Sequence, residues 1–63
     1  MFPLSYQFAH ETAEKLSAEN RDTIYDVFSL NGSYYVMGPD QIPPRESICE
    51  AYYVNGFLKW TKQ

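Results

Sequence analysis

Residues 23–37 have the pattern of a β-hairpin, in which two runs of strand-forming residues flank an Asn-Gly dipeptide. Residues 23–30 and 33–37 are rich in β-branched and aromatic side chains, which suit a pleated and half-buried surface, and Asn31-Gly32 separates them. Because both turn residues readily take positive φ, we expect a type I′ turn. The predicted register pairs Leu30 with Ser33, Phe28 with Tyr35, Val27 with Val36 and Asp26 with Met37.

This first hairpin is apolar on both faces. One face carries Ile24, Phe28, Leu30, Tyr35 and Met37, and the other carries Tyr25, Val27, Tyr34 and Val36. One thin helix cannot cover two such surfaces, and an uncovered apolar face usually marks an interface. We therefore predict that the second of these faces contacts a partner protein.

Residues 48–62 predict a second hairpin about Asn55-Gly56. The expected register pairs Val54 with Phe57, Tyr53 with Leu58, Tyr52 with Lys59 and Ala51 with Trp60. One face would carry Cys49, Ala51, Tyr53, Leu58 and Trp60, and the solvated face would carry Glu50, Tyr52, Lys59 and Thr61. An alternative stays open, in which Pro44 is the first residue of a helix over 45–54.

Residues 9–19 change to a helical period. Ala9, Ala13, Leu16 and Asn20 fall on one side, and Glu11, Glu14, Lys15, Ala18 and Glu19 fall on the other. Glu11 and Lys15 have the i, i+4 spacing that favours an ion pair. Because the apolar stripe is thin, the helix must lie close against a sheet. Residues 2–8 alternate instead with a strand period, which predicts either an edge strand or an extended arm.

These elements predict an α+β fold in a single domain over residues 1–63. One short N-terminal helix packs on a small antiparallel sheet built from the two Asn-Gly β-hairpins. Residues 20–22 are a polar connector between helix and sheet. Residues 38–44 hold three of the four prolines and therefore predict a stiff loop.

Composition limits the available chemistry. Cys49 is the only cysteine and His10 the only histidine, so neither a disulfide nor a zinc site can form within one chain. We find no Gly-rich phosphate-binding loop, and we expect no cofactor and no enzyme activity. A 63-residue chain without a disulfide or a metal site is marginally stable. Its six Tyr, four Phe and one Trp are more aromatic side chains than so small a core can bury. Both features favour a homodimer or another protein partner.

Charge indicates what kind of partner to expect. Eight acidic and five basic side chains give a net charge of −3, which opposes binding to nucleic-acid or membrane phosphates and favours a basic protein. The candidate contacts are carboxylates on the outer helix face and beside it, at Glu11, Glu14, Glu19 and Asp22. Presented to the basic nucleic-acid-binding surface of another protein, they would make the chain an inhibitor. Alternatively, they serve solubility alone.

The expected location is cytoplasmic. The sequence begins without a charged leader and contains no long apolar run. The unpaired Cys49 suits a reducing compartment.

The spacing of three segments also resembles that in small winged-helix, excisionase-type DNA-binding proteins. The segments are residues 12–16, 21–26 and 42–47, and the resemblance would cover about residues 9–54. It implies a DNA-binding regulator, with a recognition helix at residues 21–26. That helix is basic in the family, whereas this segment holds Asp22 and Asp26 with only Arg21 positive.

Overall fold

The helix begins three residues earlier than the sequence pattern indicated. In the computed structural model, which describes residues 4–62, helix α1 spans Tyr6–Glu19. The Ser5 hydroxyl accepts a hydrogen bond from the Phe8 amide at 3.2 Å, and this cap starts the helix. The edge strand predicted over residues 2–8 is therefore wrong from Tyr6 onward, and its first two residues lie outside the described part of the chain.

The four strands form one antiparallel sheet, as the α+β prediction required. They are β1 (Ile24–Leu30), β2 (Ser33–Met37), β3 (Ile48–Val54) and β4 (Phe57–Thr61), and their order across the sheet is β2-β1-β3-β4. Residues 48–54 are a strand, so the alternative helix there is wrong. Residues 21–26 are a turn and the start of β1, so the recognition helix implied by the winged-helix resemblance does not form.

Both Asn-Gly turns have the predicted conformation. Asn31 and Gly32 have φ of 51° and 83°, and Asn55 and Gly56 have φ of 54° and 82°. Two successive residues with positive φ define the type I′ geometry, whose twist matches that of the strands it joins. The first hairpin has the predicted register throughout, from Leu30 opposite Ser33 to Asp26 opposite Met37.

The second hairpin departs from its predicted register after two pairs. Val54 lies opposite Phe57 and Tyr53 opposite Leu58, as expected, but a bulge then places Trp60 rather than Lys59 opposite Tyr52. A bulge inserts one extra residue into one strand, so every later side chain on that strand changes face. Trp60 is therefore on the same face as Tyr52, and the prediction that placed it with Tyr53 is wrong.

The helix packs on the face of the sheet whose centre carries small side chains. Ala9 and Ala13 of α1 are buried against Val27, Val36 and Ala51 of the sheet. A helix with an alanine stripe can approach a sheet closely only where the facing side chains are also small, and the opposite face carries Phe28, Tyr35 and Met37. The expectation of a thin helix lying close to the sheet is confirmed.

Two further contacts attach the N-terminal arm and the helix to the sheet. The backbone of Leu4 exchanges hydrogen bonds of 2.8 and 3.1 Å with Tyr34, so the N-terminal arm covers part of the outer edge of β2. Ser17 of α1, fully buried, accepts a hydrogen bond from the Gly56 amide at 3.0 Å and ties the helix to the second turn. Within the described residues, no helix is long and apolar enough to cross a membrane.

Candidate functional site

The apolar partner face predicted from the sequence is the core. Val27 and Val36 are 0% and 1% exposed beneath the helix, and Tyr25 and Tyr34 pack against the same cluster. Val27 and Val36 are therefore not available to a partner, and their assignment to a partner-binding face is corrected. The reason is the small size of the side chains at the centre of this face, which admits the helix. Tyr25 and Tyr34 are half-buried, and their assignment stays a prediction.

The predicted acidic residues fall into two groups. Glu11, Glu14 and Glu19 are exposed on α1, as expected. Asp22 has a structural role at the end of the helix, where its φ is 62° and its amide donates to the side-chain oxygen of Asn55 at 2.8 Å. The structure therefore leaves the three helix carboxylates exposed. Asp22 holds the second turn through its backbone amide, and its exposed carboxylate also accepts a 3.4 Å hydrogen bond from the Asn55 side-chain amide.

Within residues 4–62, no carboxylate is neutralised by an ion pair. No ion pair forms between residues 4–62, and at Glu11 the carboxylate accepts a hydrogen bond from the Gln7 amide at 3.1 Å instead of pairing with Lys15. The predicted i, i+4 pair is therefore absent. Unpaired carboxylates keep their full charge for a partner or for solvent.

A groove lies on the sheet face opposite the helix. Its volume is about 460 Å³, and it opens to solvent between β1 and the loop that follows β2. The lining residues are Ile24, Asp26, Phe28, Met37, Gly38, Pro39, Gln41, Pro43 and Tyr52. The amide of Gly38 donates to the Gln41 side chain at 2.6 Å, which fixes the start of the loop wall. The groove is thus built from two ordered elements and has a mainly apolar lining.

Among residues 4–62, Asp26 is the one charged residue that lines the groove. It lies in the middle of β1, with Met37 and Tyr52 as its cross-strand neighbours. Its carboxylate makes no hydrogen bond or ion pair with any residue in 4–62. Burial raises the pKa of Asp26 above its usual value, because the charged form is partly removed from water. Asp26 is therefore a carboxylate that meets apolar side chains and solvent in this groove.

An aromatic pair extends the groove toward β4. Tyr52 and Trp60 stack with ring centroids 6.4 Å apart and an interplanar angle of 19°. The bulge in β4 makes this contact, because it turns Trp60 onto the face of Tyr52. Trp60 is 44% exposed and Ile24 is 48% exposed, so two large apolar side chains remain in contact with water on this face.

Sequence reasoning did not select this groove. A signal was present, because Asp26 stands between Ile24 and Phe28 at the period-2 spacing of one sheet face. The pattern could not show which face the helix would cover. Nor could it show the bulge that adds Trp60 or the position of the proline loop.

A second polar cluster lies between the helix and the sheet. Nδ1 of His10 is 2.7 Å from the Tyr53 hydroxyl, and Nε2 of His10 is buried without a hydrogen-bond partner among the described residues. Burial lowers the pKa of His10, and the Glu50 carboxylate offsets part of this effect. Burial also raises the pKa of Tyr53. Near neutral pH the pair is uncharged and joins α1 to β3.

Cys49 does not have the setting of a reactive thiol. It is half-buried, and its pKa is raised by burial, by the charge of Asp26 and by that of Glu50, with a partly opposing contact to the Ala51 carbonyl. A nucleophilic cysteine needs the opposite, a neighbouring positive charge that stabilises the thiolate.

The chain has no match among protein-family models, curated proteins or solved structures. Across residues 4–62, no three His, Cys, Asp or Glu side chains come together to hold a metal ion.

Proposed function

We propose that this chain is a small, non-enzymatic protein-binding module whose partner carries a basic surface. The observation that carries the proposal is the uncovered sheet face, where Ile24, Trp60 and the groove beside them remain exposed to water. Apolar patches on small proteins are most often interaction sites, and aromatic residues dominate binding energy at such sites.

Charge supports a basic partner. The net charge is −3, and the carboxylates of Glu11, Glu14 and Glu19 on the helix are not paired within the described residues. A field of this sign speeds association with a positively charged protein. A sharper form of the proposal is an inhibitor that occupies the nucleic-acid-binding surface of such a protein. The unpaired Cys49 supports action in a reducing, cytoplasmic environment.

Site-specific photocrosslinking tests this proposal. A benzoylphenylalanine placed at Trp60 should crosslink a basic protein in cells that make this chain, and an excess of unmodified chain should compete. The matched control places the same residue at Tyr6, which is also 55% exposed on the helix but does not line the surface that Phe8 shares with Glu11 and Glu19, and it should give no such product. Identical products from both positions, or none from Trp60, would contradict the proposal. So would micromolar, salt-sensitive binding to duplex DNA in a fluorescence titration.

A second candidate is self-association through β4. Among the described residues no strand pairs with its outer edge, and Phe57 and Leu58 are 67% and 48% exposed. An open edge strand is a ready template for pairing with another chain, and two copies could extend the sheet across it. Light scattering coupled to gel filtration should then give a dimer mass at tens of micromolar, with a melting temperature that falls on dilution. A constant monomer mass would exclude this candidate.

A further inference from the structure

We propose that the groove around Asp26 receives an arginine side chain from the partner protein. This inference rests on the proposed function, because it assigns a chemical specificity to the same sheet face. It goes further in naming the residue that selects the partner and the group that is selected.

The first step is the position of the carboxylate. Asp26 lies on a central strand of the sheet, and its neighbours across β2 and β3 are Met37 and Tyr52. Within residues 4–62, no lysine, arginine or histidine lines the groove, and no residue pairs with this carboxylate. A half-buried carboxylate in apolar surroundings is disfavoured unless a cation or a hydrogen-bond donor meets it. A cation that meets this carboxylate would therefore come from outside residues 4–62.

The second step is the shape and lining of the groove. A volume of about 460 Å³ is sufficient for one long side chain and the backbone on either side of it. Ile24, Phe28 and Met37 offer apolar surface to a methylene stem, while Asp26 and Tyr52 stand beside each other at the floor. This combination fits a side chain that is apolar along its length and cationic at its tip.

The third step separates arginine from other cations. A guanidinium is planar, donates two parallel hydrogen bonds to one carboxylate and stacks on aromatic rings. Tyr52 is directly opposite Asp26, and its ring stacks on Trp60, so an aromatic surface adjoins the carboxylate. A metal ion would need several ligands together, and residues 4–62 contain no such group. An anionic ligand would be repelled by Asp26.

The test is a titration of the whole ¹⁵N-labelled chain, followed by NMR. The probes are acetyl-Leu-Arg-Leu-amide and the same peptide with citrulline, which keeps the shape of arginine and removes its charge. The arginine peptide should shift amides of β1 and β3 around Asp26 and bind about tenfold more tightly than the citrulline peptide. Asp26→Asn should remove this preference. Glu46→Gln changes the net charge equally at an exposed position outside the groove lining, and it should retain the preference.

Several results would overturn the inference. They are equal binding of the two peptides, no shifts with the arginine peptide at millimolar concentration, an unchanged preference in Asp26→Asn, and shifts confined to α1. If the same amides shift when the chain is concentrated without any peptide, a second copy of the chain fills the groove. That result would also overturn the inference. If crosslinking from Trp60 persists while the arginine preference is absent, only this inference fails. If the preference is present and crosslinking is absent, the proposed function fails.

Discussion

Replacement of Gly56 by alanine should destabilise the fold more than the same replacement of Gly32. The two glycines have the same role, as the second residue of an Asn-Gly turn, and nearly the same φ, 82° and 83°. Their surroundings differ. A Cβ built at Gly32 has no heavy atom within 4 Å, whereas a Cβ at Gly56 would lie 3.1 Å from the Cβ of Ala18 on the helix. The pair of variants therefore separates turn conformation from helix packing.

The expected magnitudes follow from these two contributions. A side chain in the left-handed region costs about 1 kcal/mol at either turn. Alanine also restricts the unfolded chain, by the same amount at both positions, so this effect cancels in the comparison. Crowding against Ala18 at Gly56 adds about 1 kcal/mol, at the low end for overpacking, because one contact must relax by a few tenths of an ångström. Against a total stability of roughly 3–9 kcal/mol for 63 residues, the difference is easily measured.

Urea and thermal unfolding of both variants provide the measurement. Gly56→Ala should melt about 4–8 °C below Gly32→Ala. In a double-mutant cycle, Ala18→Gly should cost less in the Gly56→Ala background than in the wild type, because it removes the crowded methyl group. Equal losses at the two turns, or no coupling to Ala18, would refute the packing explanation. Unchanged stability in both variants would refute the type I′ turns themselves.

Three other replacements have expected outcomes. Because burial lowers the pKa of His10 below 6.5, the folded state favours the neutral ring, so stability should be constant above about pH 7 and fall as the pH decreases below 6.5. His10→Gln, followed by urea unfolding at a series of pH values, should remove this slope. Ser17→Ala should lower stability by about 1–3 kcal/mol in denaturant unfolding, because the Gly56 amide loses its acceptor. Asp26→Asn should be as stable as the wild type or more stable at pH 7, since burial raises the pKa of Asp26 and disfavours its charged form; a clear loss of stability would show that the carboxylate has a structural role.

The sequence alone determined the elements whose conformation is chosen locally. Asn31 and Gly32 adopt positive φ more readily than other residues, so the turn type and the register of the first hairpin follow from the dipeptide and its flanks. The same reasoning located the second turn. The spacing of Ala9 and Ala13 likewise predicted the buried stripe of the helix, although the Ser5 cap that sets its start was missed.

Only the tertiary structure decided which face of the sheet the helix covers, and with it the location of the candidate site. Both faces of the first hairpin are apolar, and hydrophobicity by itself does not rank them. The choice depends on how closely two surfaces can approach, which favours Val27 and Val36 over Phe28 and Tyr35. The bulge that brings Trp60 beside Tyr52 changes the face of every later residue on β4, and no local preference in the sequence marked it. The sequence shows Asp26 between apolar residues of β1. Its position in an apolar groove depends on how the helix, the sheet and the proline loop pack together.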